Sequence, residues 1–285
     1  MNKILDGKAV SATLKDETKE KIEAFKKKYN REITLAVVLV GENPASQIYV
    51  RNKIKAAEYV GIKSLSFTLP KSVSQSETEA LVKTLSEDQS VDGILVQLPL
   101  PENLEQGKIL SLIPPEKDVD GFSSQSMGKL TLFEKGIAPC TPAGILYLLK
   151  NAGIELNGKN AVICGRSNIV GKPVALMLLK ENCTVTLCHS KTENLEEFTK
   201  NADILISAIG KPKFIKADMV KDGAVVIDVG INRTENGLVG DVDFDEVKKK
   251  TSYITPVPGG VGPMTIAMLM NNAYLCALRR ETGGF

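Results

Sequence analysis

Short runs rich in β-branched residues alternate with helix-patterned stretches along almost the whole chain, and few architectures accept that alternation. Strands separated by helices pair in parallel, so the pattern predicts an α/β fold. A helix is expected over 8–29, with Val10, Leu14, Ile22 and Phe25 at roughly helical spacing, followed by a strand over 33–40. Asn43-Pro44 reads as an N-cap with a first-turn proline, opening a helix that runs to Val60 and stops at Gly61. A strand at 62–69, a helix at 74–86, a strand at 91–98 and a helix at 103–112, closed by Pro114-Pro115, come next. Thr141-Pro142 starts a second series: a helix to Asn151, strand 161–164, helix 170–179, strand 184–188, helix 195–201, and strands 204–207 and 224–229. A glycine- and proline-rich loop, 255–263, leads into a last helix at 264–278.

The 285 residues suit two modest domains or one large one. The expected division is 1–119 together with a C-terminal helix, 264–285, then 140–263, with the weakly periodic 120–139 as a connecting segment. Lys+Arg 36 against Asp+Glu 34 is too balanced to point to nucleic acid or a membrane surface. The start, MNKILDGKAV, has no hydrophobic signal region, and the longest clean apolar run is about eight residues, so neither a secretory signal nor a spanning helix is expected. Five scattered cysteines without a CxxC pair predict a reduced, cytoplasmic protein with no structural zinc. The single histidine, His189, leaves no room for a multi-histidine metal site, and no metal is expected.

The stretch AVICGRSNIVGKP (161–173) resembles two nucleotide loops and matches neither. A Walker loop needs four residues between its glycine and Gly-Lys, then a hydroxyl; here there are five, then Pro173. A dinucleotide fingerprint needs a glycine two residues after the first, where Ser167 stands. Strand, glycine, tight loop, helix is still the geometry that aims backbone N–H groups at a phosphate, although many such turns carry glycine only for turning. The next strand decides between these. NAD sites place an acidic residue about twenty positions on, but Cys188 is followed by His189-Ser190-Lys191-Thr192, with no carboxylate before Glu193. Arg166 supplies a planar fork and Ser190 a neutral donor for an extra phosphate, which reads as NADP.

In the first part, Tyr49 and Lys53 stand at i and i+4 and emerge on one helix face. Such a pair can hold a flat heterocycle and move protons; a plain solvated face is the competing reading. Short-chain dehydrogenases also use Tyr-x-x-x-Lys, but after their glycine-rich loop, whereas here the pair precedes Gly165 by over a hundred residues. Gln97 is a lone amide inside GILVQLPLP, satisfied by backbone or aimed beyond the strand's carboxyl end. Asp118 and Asp120, in KDVDG, offer acceptors for the edge of a heterocycle, or form an Asp-Gly turn.

Taken in order, YVRNK, VQLPLP, KDVDGF, PCTP, GRSNIVGKP, CHSKT and TPVPGGVGPMT closely resemble the bifunctional methylenetetrahydrofolate dehydrogenase/methenyltetrahydrofolate cyclohydrolase family, with matches from about residue 40 to 268. The resemblance implies two domains with a cleft between them, a folate-binding catalytic one and a Rossmann-like NADP-binding one, and a homodimer. It implies oxidation of 5,10-methylenetetrahydrofolate by NADP⁺ and hydrolysis of the product to 10-formyltetrahydrofolate. Carried over by motif, Lys53 is the main catalytic residue, Tyr49 stacks on the folate, Gln97 hydrogen-bonds and tunes Lys53, and Asp120 grips the pterin. Gly165, Arg166, Ser167 and Ser190 hold NADP, Ile231 lies by the nicotinamide, and Pro258 and Gly259 line the folate side. The alternatives are a relative that uses NAD or has little cyclohydrolase activity, and a phosphate-binding regulatory module without catalysis.

Overall fold

The computed structural model describes residues 3–235 and 237–284. The chain opens with a two-residue strand, β1 (Lys3–Ile4), and a long helix, α1 (Gly7–Tyr29). Next come β2 (Thr34–Val40), α2 (Pro44–Val60), β3 (Lys63–Leu69), α3 (Gln75–Glu87) and β4 (Gly93–Val96), then the short helices α4 (Gln106–Ser111) and α5 (Ser124–Thr131). Helix α6 (Cys140–Asn151) precedes β5 (Asn160–Cys164), α7 (Gly171–Lys180), β6 (Thr184–Cys188), α8 (Leu195–Thr199), β7 (Ile204–Ser207) and β8 (Val225–Asp228). An antiparallel pair, β9 (Asn232–Thr234) and β10 (Gly237–Val239), then α9 (Phe244–Val247), β11 (Tyr253–Ile254) and α10 (Val261–Thr282) complete the chain.

The chain divides into two compact units, one from Thr13–Cys140 with Ile266–Phe285, the other from Met1–Ala12 with Thr141–Thr265. The first is built on a three-stranded parallel sheet in the order β3-β2-β4. Its central strand, TLAVVLV, is buried at every position, which is why it reads as a continuous apolar run rather than an alternating one. Helix α2 begins where Asn43 Oδ1 accepts from the N–H groups of Ala45 (2.9 Å) and Ser46 (3.2 Å), and ends at Gly61 in the left-handed conformation, φ 86°. The buried carboxylate of Asp92 accepts from both terminal nitrogens of Arg31 (2.9 Å each), from Arg280 (2.8 Å) and from Thr34 N (2.9 Å). That network ties the starts of β2 and β4 to α10.

The second unit carries a six-stranded, wholly parallel sheet in the order β1-β11-β8-β7-β5-β6. Alternate residues serve its two faces: Ala161 and Ile163 of β5 join the core with Ile145, Leu149 and Val174, while Val162 and Cys164 join Leu205, Val226 and Val247 on the other side. The chain runs from β5 through α7 to β6 on one side and returns across β5 to β7 on the other, so the sheet's switch point lies between β5 and β7.

Three expectations differ from this structure. Lys3–Ile4 pairs with Tyr253–Ile254, so Met1–Ala12 joins the second unit rather than the first. Residues 120–139 are not a bare connection: α5 lies within them, capped by Ser123 Oγ accepting from Ser126 N, and the segment belongs to the first unit. Finally, among the described residues one helix, α10, is long and apolar enough to cross a membrane by length and composition. Thr265, Asn271 and Asn272 interrupt its apolar residues, so no clean run betrays it, and 56% of its apolar window is buried inside the fold, as in a core helix.

Candidate active site

Helix α2 turns one face inward through Val50, Ala57 and Val60, and Lys53 lies on that face, only 7% exposed. A buried lysine needs polar company. Lys53 Nζ donates to Gln97 Oε1 at 3.0 Å, its one hydrogen bond among the described residues. Gln97 follows β4, at the carboxyl end of that strand, and its own Nε2 donates to Leu98 O at 2.7 Å. This second bond fixes which end of the amide faces the lysine. Tyr49, one turn before Lys53, is partly buried.

The motif Lys117-Asp-Val-Asp120 assigns a different task to each residue. Lys117 Nζ donates to the carbonyls of Leu85 (3.2 Å), Ser86 (2.8 Å) and Asp88 (2.6 Å), closing the end of α3. Ile94 N donates to Lys117 O at 2.8 Å, so the segment runs alongside β4 toward its carboxyl end. Asp118 accepts from Gly121 N, Phe122 N, Ser123 N and Ser126 Oγ at 2.7–3.3 Å, and its carboxylate is consumed inside its own loop. Val119 packs against Gly93, where a Cβ would come within 2.4 Å of Val119 Cγ1. Asp120 takes part in none of these loop bonds; its carboxylate lies within reach of the Lys53 charge and hydrogen-bonds with Cys140. Burial pushes its carboxyl above the ordinary range, the Lys53 ammonium opposes that shift, and the charge of Asp118 adds to it.

Cys140 lies beside this pair, and nothing local in the sequence except its place in PCTP marks it. Its Sγ donates to Val119 O at 3.3 Å. Burial, and next the Asp120 charge, push the thiol well above its usual range, which keeps it neutral and unreactive.

In the second unit, Gly165, Arg166 and Ser167 leave the carboxyl end of β5, and His189 and Ser190 leave that of β6; the two strands are paired with Cys164 opposite Cys188. Gly165 has φ 132°, and a Cβ there would meet Ala208 O at 2.4 Å; a Cβ at Gly171 would meet Gly165 O at 1.9 Å, so loop and helix touch backbone to backbone. Ser167 Oγ accepts from Val170 N (3.2 Å) and Gly171 N (3.4 Å), which turns it onto the start of α7 and leaves its proton to donate outward. Lys172 Nζ, in the first turn of α7, donates back to Asn168 Oδ1 of the preceding loop at 2.8 Å. Arg166 and Ser190 are exposed and form no hydrogen bond among the described residues. His189 is occupied in a turn: its N–H donates to Thr192 Oγ1 (2.9 Å) and its Nδ1 accepts from Lys191 N (3.2 Å).

Ile231, 48% exposed, follows the carboxyl end of β8. Beneath it, Asp228 accepts from the N–H groups of Gly230, Asp241 and Val242 at 2.9 Å each. Asp241 in turn accepts from Ile209 N, Gly210 N, Lys211 N and Asn232 Nδ2 at 2.6–3.0 Å. These two carboxylates gather the loops after β7 and β8. Pro258 and Gly259 stand in the loop before α10, held where Gly259 O accepts from Lys8 N at 2.9 Å. The structure thus brings Lys53, Gln97 and Asp120 together in the first unit, and places Gly165, Arg166, Ser167, Ser190, Ile231, Pro258 and Gly259 in the second. Among the described residues, no group of three or more His, Cys, Asp or Glu is arranged to hold a metal ion.

Residues 5–120 match the family description "Tetrahydrofolate dehydrogenase/cyclohydrolase, catalytic domain", and residues 139–281 match "Tetrahydrofolate dehydrogenase/cyclohydrolase, NAD(P)-binding domain". The chain is 59% identical over 273 residues to the "Bifunctional protein FolD" of Agathobacter rectalis, covering 95% of this chain and 98% of that one. The crystal structure of the bifunctional FolD methylenetetrahydrofolate dehydrogenase/cyclohydrolase of Campylobacter jejuni superposes with a TM-score of 0.96 at 54% identity, over 98% of this chain and 100% of that one. The Trypanosoma brucei N5,N10-methylenetetrahydrofolate dehydrogenase-cyclohydrolase, complexed with NADP and an inhibitor, superposes at 0.93 with 38% identity, over 99% and 98%.

Proposed function

The chain belongs to the tetrahydrofolate dehydrogenase/cyclohydrolase family, and from that premise we propose that it oxidises 5,10-methylenetetrahydrofolate with NADP⁺ and hydrolyses the resulting 5,10-methenyltetrahydrofolate to 10-formyltetrahydrofolate. The observation that carries this reading is the buried Lys53, held on Gln97 Oε1 at 3.0 Å beside Asp120.

Oxidation removes a hydride from the methylene bridge, and the two flanking folate nitrogens carry the cation, so the protein's task is placement rather than proton abstraction. Tyr49 supplies a ring face for the folate. Asp120 accepts from N–H groups on the pterin edge, where a buried, charge-assisted bond is strong. Hydrolysis adds water to the methenyl carbon and opens the ring, so a proton leaves the water and another reaches the departing nitrogen. Lys53 moves those protons, and Gln97 holds its nitrogen in place. Cys140, a neutral thiol, takes no nucleophilic part.

The second unit fits NADP, which supplies the hydride acceptor when bound. Arg166 and Ser190, at the ends of neighbouring strands, form no hydrogen bond among the described residues, and no carboxylate follows Cys188 in sequence before Glu193, a setting that favours a 2′-phosphate. Ser167 keeps a hydroxyl proton for a phosphate or ribose oxygen. Ile231 offers an exposed apolar surface for the nicotinamide, and the family resemblance assigns Pro258 and Gly259 to folate binding. The enzyme acts as a homodimer in the cytoplasm, a reading supported by the family resemblance and by five free, buried thiols.

The test is to supply methylenetetrahydrofolate with NADP⁺ or NAD⁺ and to follow both the formation of the methenyl compound and its decay. NADP⁺-dependent formation followed by enzyme-accelerated decay is expected. Absence of turnover with either dinucleotide would overturn the reading.

A further inference from the structure

Asn272 is a buried polar residue, 4% exposed, among the apolar residues of α10, and the chemistry above makes no use of it. Its Nδ2 donates to Val119 O at 2.9 Å and Ala138 O at 3.0 Å, with Cys140 Sγ at 3.4 Å. An amide nitrogen has two protons, so the two carbonyls account for both. Val119 immediately precedes Asp120. Ala138 and Cys140 belong to the returning strand of chain that lies against Gly121, which immediately follows Asp120; a Cβ on Gly121 would come within 2.8 Å of Pro139 N. The same Val119 carbonyl also accepts from Cys140 Sγ, and Gly121 N donates to Asp118 Oδ1 at 2.9 Å. The peptide groups on both sides of Asp120 are therefore immobilised, and the carboxylate keeps little freedom beyond its own side-chain rotation.

We infer that Asn272 is a positioning residue for folate binding: from α10 it locks the Val119 carbonyl to the 138–140 segment and so fixes the direction in which Asp120 presents its carboxylate. The inference rests on Asp120 being the pterin-binding carboxylate. A brace of this kind has a signature that a purely structural amide lacks. Its removal weakens the grip of Asp120, so it costs folate affinity only while Asp120 is there to be misdirected.

The experiment is a double-mutant cycle on the full chain, read as the Kd for tetrahydrofolate, which lacks the reacting carbon and is not turned over. Asn272→Leu, near in volume but without donors, is expected to weaken tetrahydrofolate about tenfold, the equivalent of about 1.4 kcal/mol. In an Asp120→Asn background the same change is expected to move Kd less than about twofold. The Kd for NADP⁺ should stay unchanged in all four proteins. If Asn272→Leu does not fold, Asn272→Ser, which retains one donor but cannot bridge two carbonyls, is put through the same cycle. Equal losses in both backgrounds, or no loss in either, would overturn the assignment. Failure of the wild-type chain to bind tetrahydrofolate at all would instead strike the proposed function.

Discussion

Arg166→Ala is the perturbation whose size follows most directly from the structure. The guanidinium is exposed and has no hydrogen bond among the described residues, so its removal leaves no orphaned partner and should not change the unfolding temperature measurably. Its loss should appear only when a 2′-phosphate is present. A hydrogen bond to a charged group contributes roughly 1.5–3 kcal/mol, and exposure to solvent favours the lower end of that range. The Kd for NADPH should therefore rise about 10- to 30-fold, while that for NADH, which lacks the phosphate, should move less than about 2-fold. Titration of cofactor fluorescence against wild type and variant measures both. The Arg166 contribution should shrink as salt is raised, because an exposed pair is screened. Equal weakening of NADPH and NADH, or a loss for NADPH that ignores salt, would place 2′-phosphate recognition elsewhere.

Other expectations concern the frame around the folate side and the second sheet. Asp118→Asn removes acceptors from a carboxylate that gathers four donors and should lower stability by about 2–3 kcal/mol in denaturant unfolding, whereas Asp120→Asn should leave stability nearly unchanged and weaken folate; similar stability losses for both would refute the division of labour. Gly93→Ala forces Val119 to shift and should weaken folate binding while sparing NADP⁺, as equilibrium titration of both ligands will show. Burial pushes the Asp228 carboxyl up from 3.8 to about 6, against the pull of three backbone N–H bonds. The folded chain then holds that proton more tightly than the unfolded one. This contribution to stability is full below about pH 3.8 and lost as the pH rises through about 6, amounting to about 3 kcal/mol. From pH 4 to pH 8 the unfolding free energy of wild type should fall by about 2–3 kcal/mol more than that of Asp228→Asn, and parallel curves would contradict it.

What could be read from residues was chemistry that acts locally. Asn43-Pro44 and Gly61 bound α2 through contacts within four residues, and the continuous apolar run of β2 reflects its place between two strands. Pairings between distant segments left no such trace. Lys3–Ile4 and Tyr253–Ile254 are two-residue strands about 250 positions apart in sequence, too short for any periodicity, and only their meeting puts Met1–Ala12 in the second unit. Asp118 and Asp120 look alike in KDVDG, yet one carboxylate is consumed by its own loop, while the other makes no bond to that loop and feels the Lys53 charge. Asn272 reads as an ordinary interruption in a helix, because its partners at 119 and 138 lie more than a hundred residues away.

The central claim, that Lys53 performs the proton transfers of hydrolysis, is tested most directly by Lys53→Met. This substitution keeps the length of the buried stem and removes only the nitrogen held by Gln97. Single-turnover decay of 5,10-methenyltetrahydrofolate should slow by a factor of about 10²–10⁴, while tetrahydrofolate still binds. A variant that binds the folate and hydrolyses the methenyl compound at a near-normal rate would contradict the account.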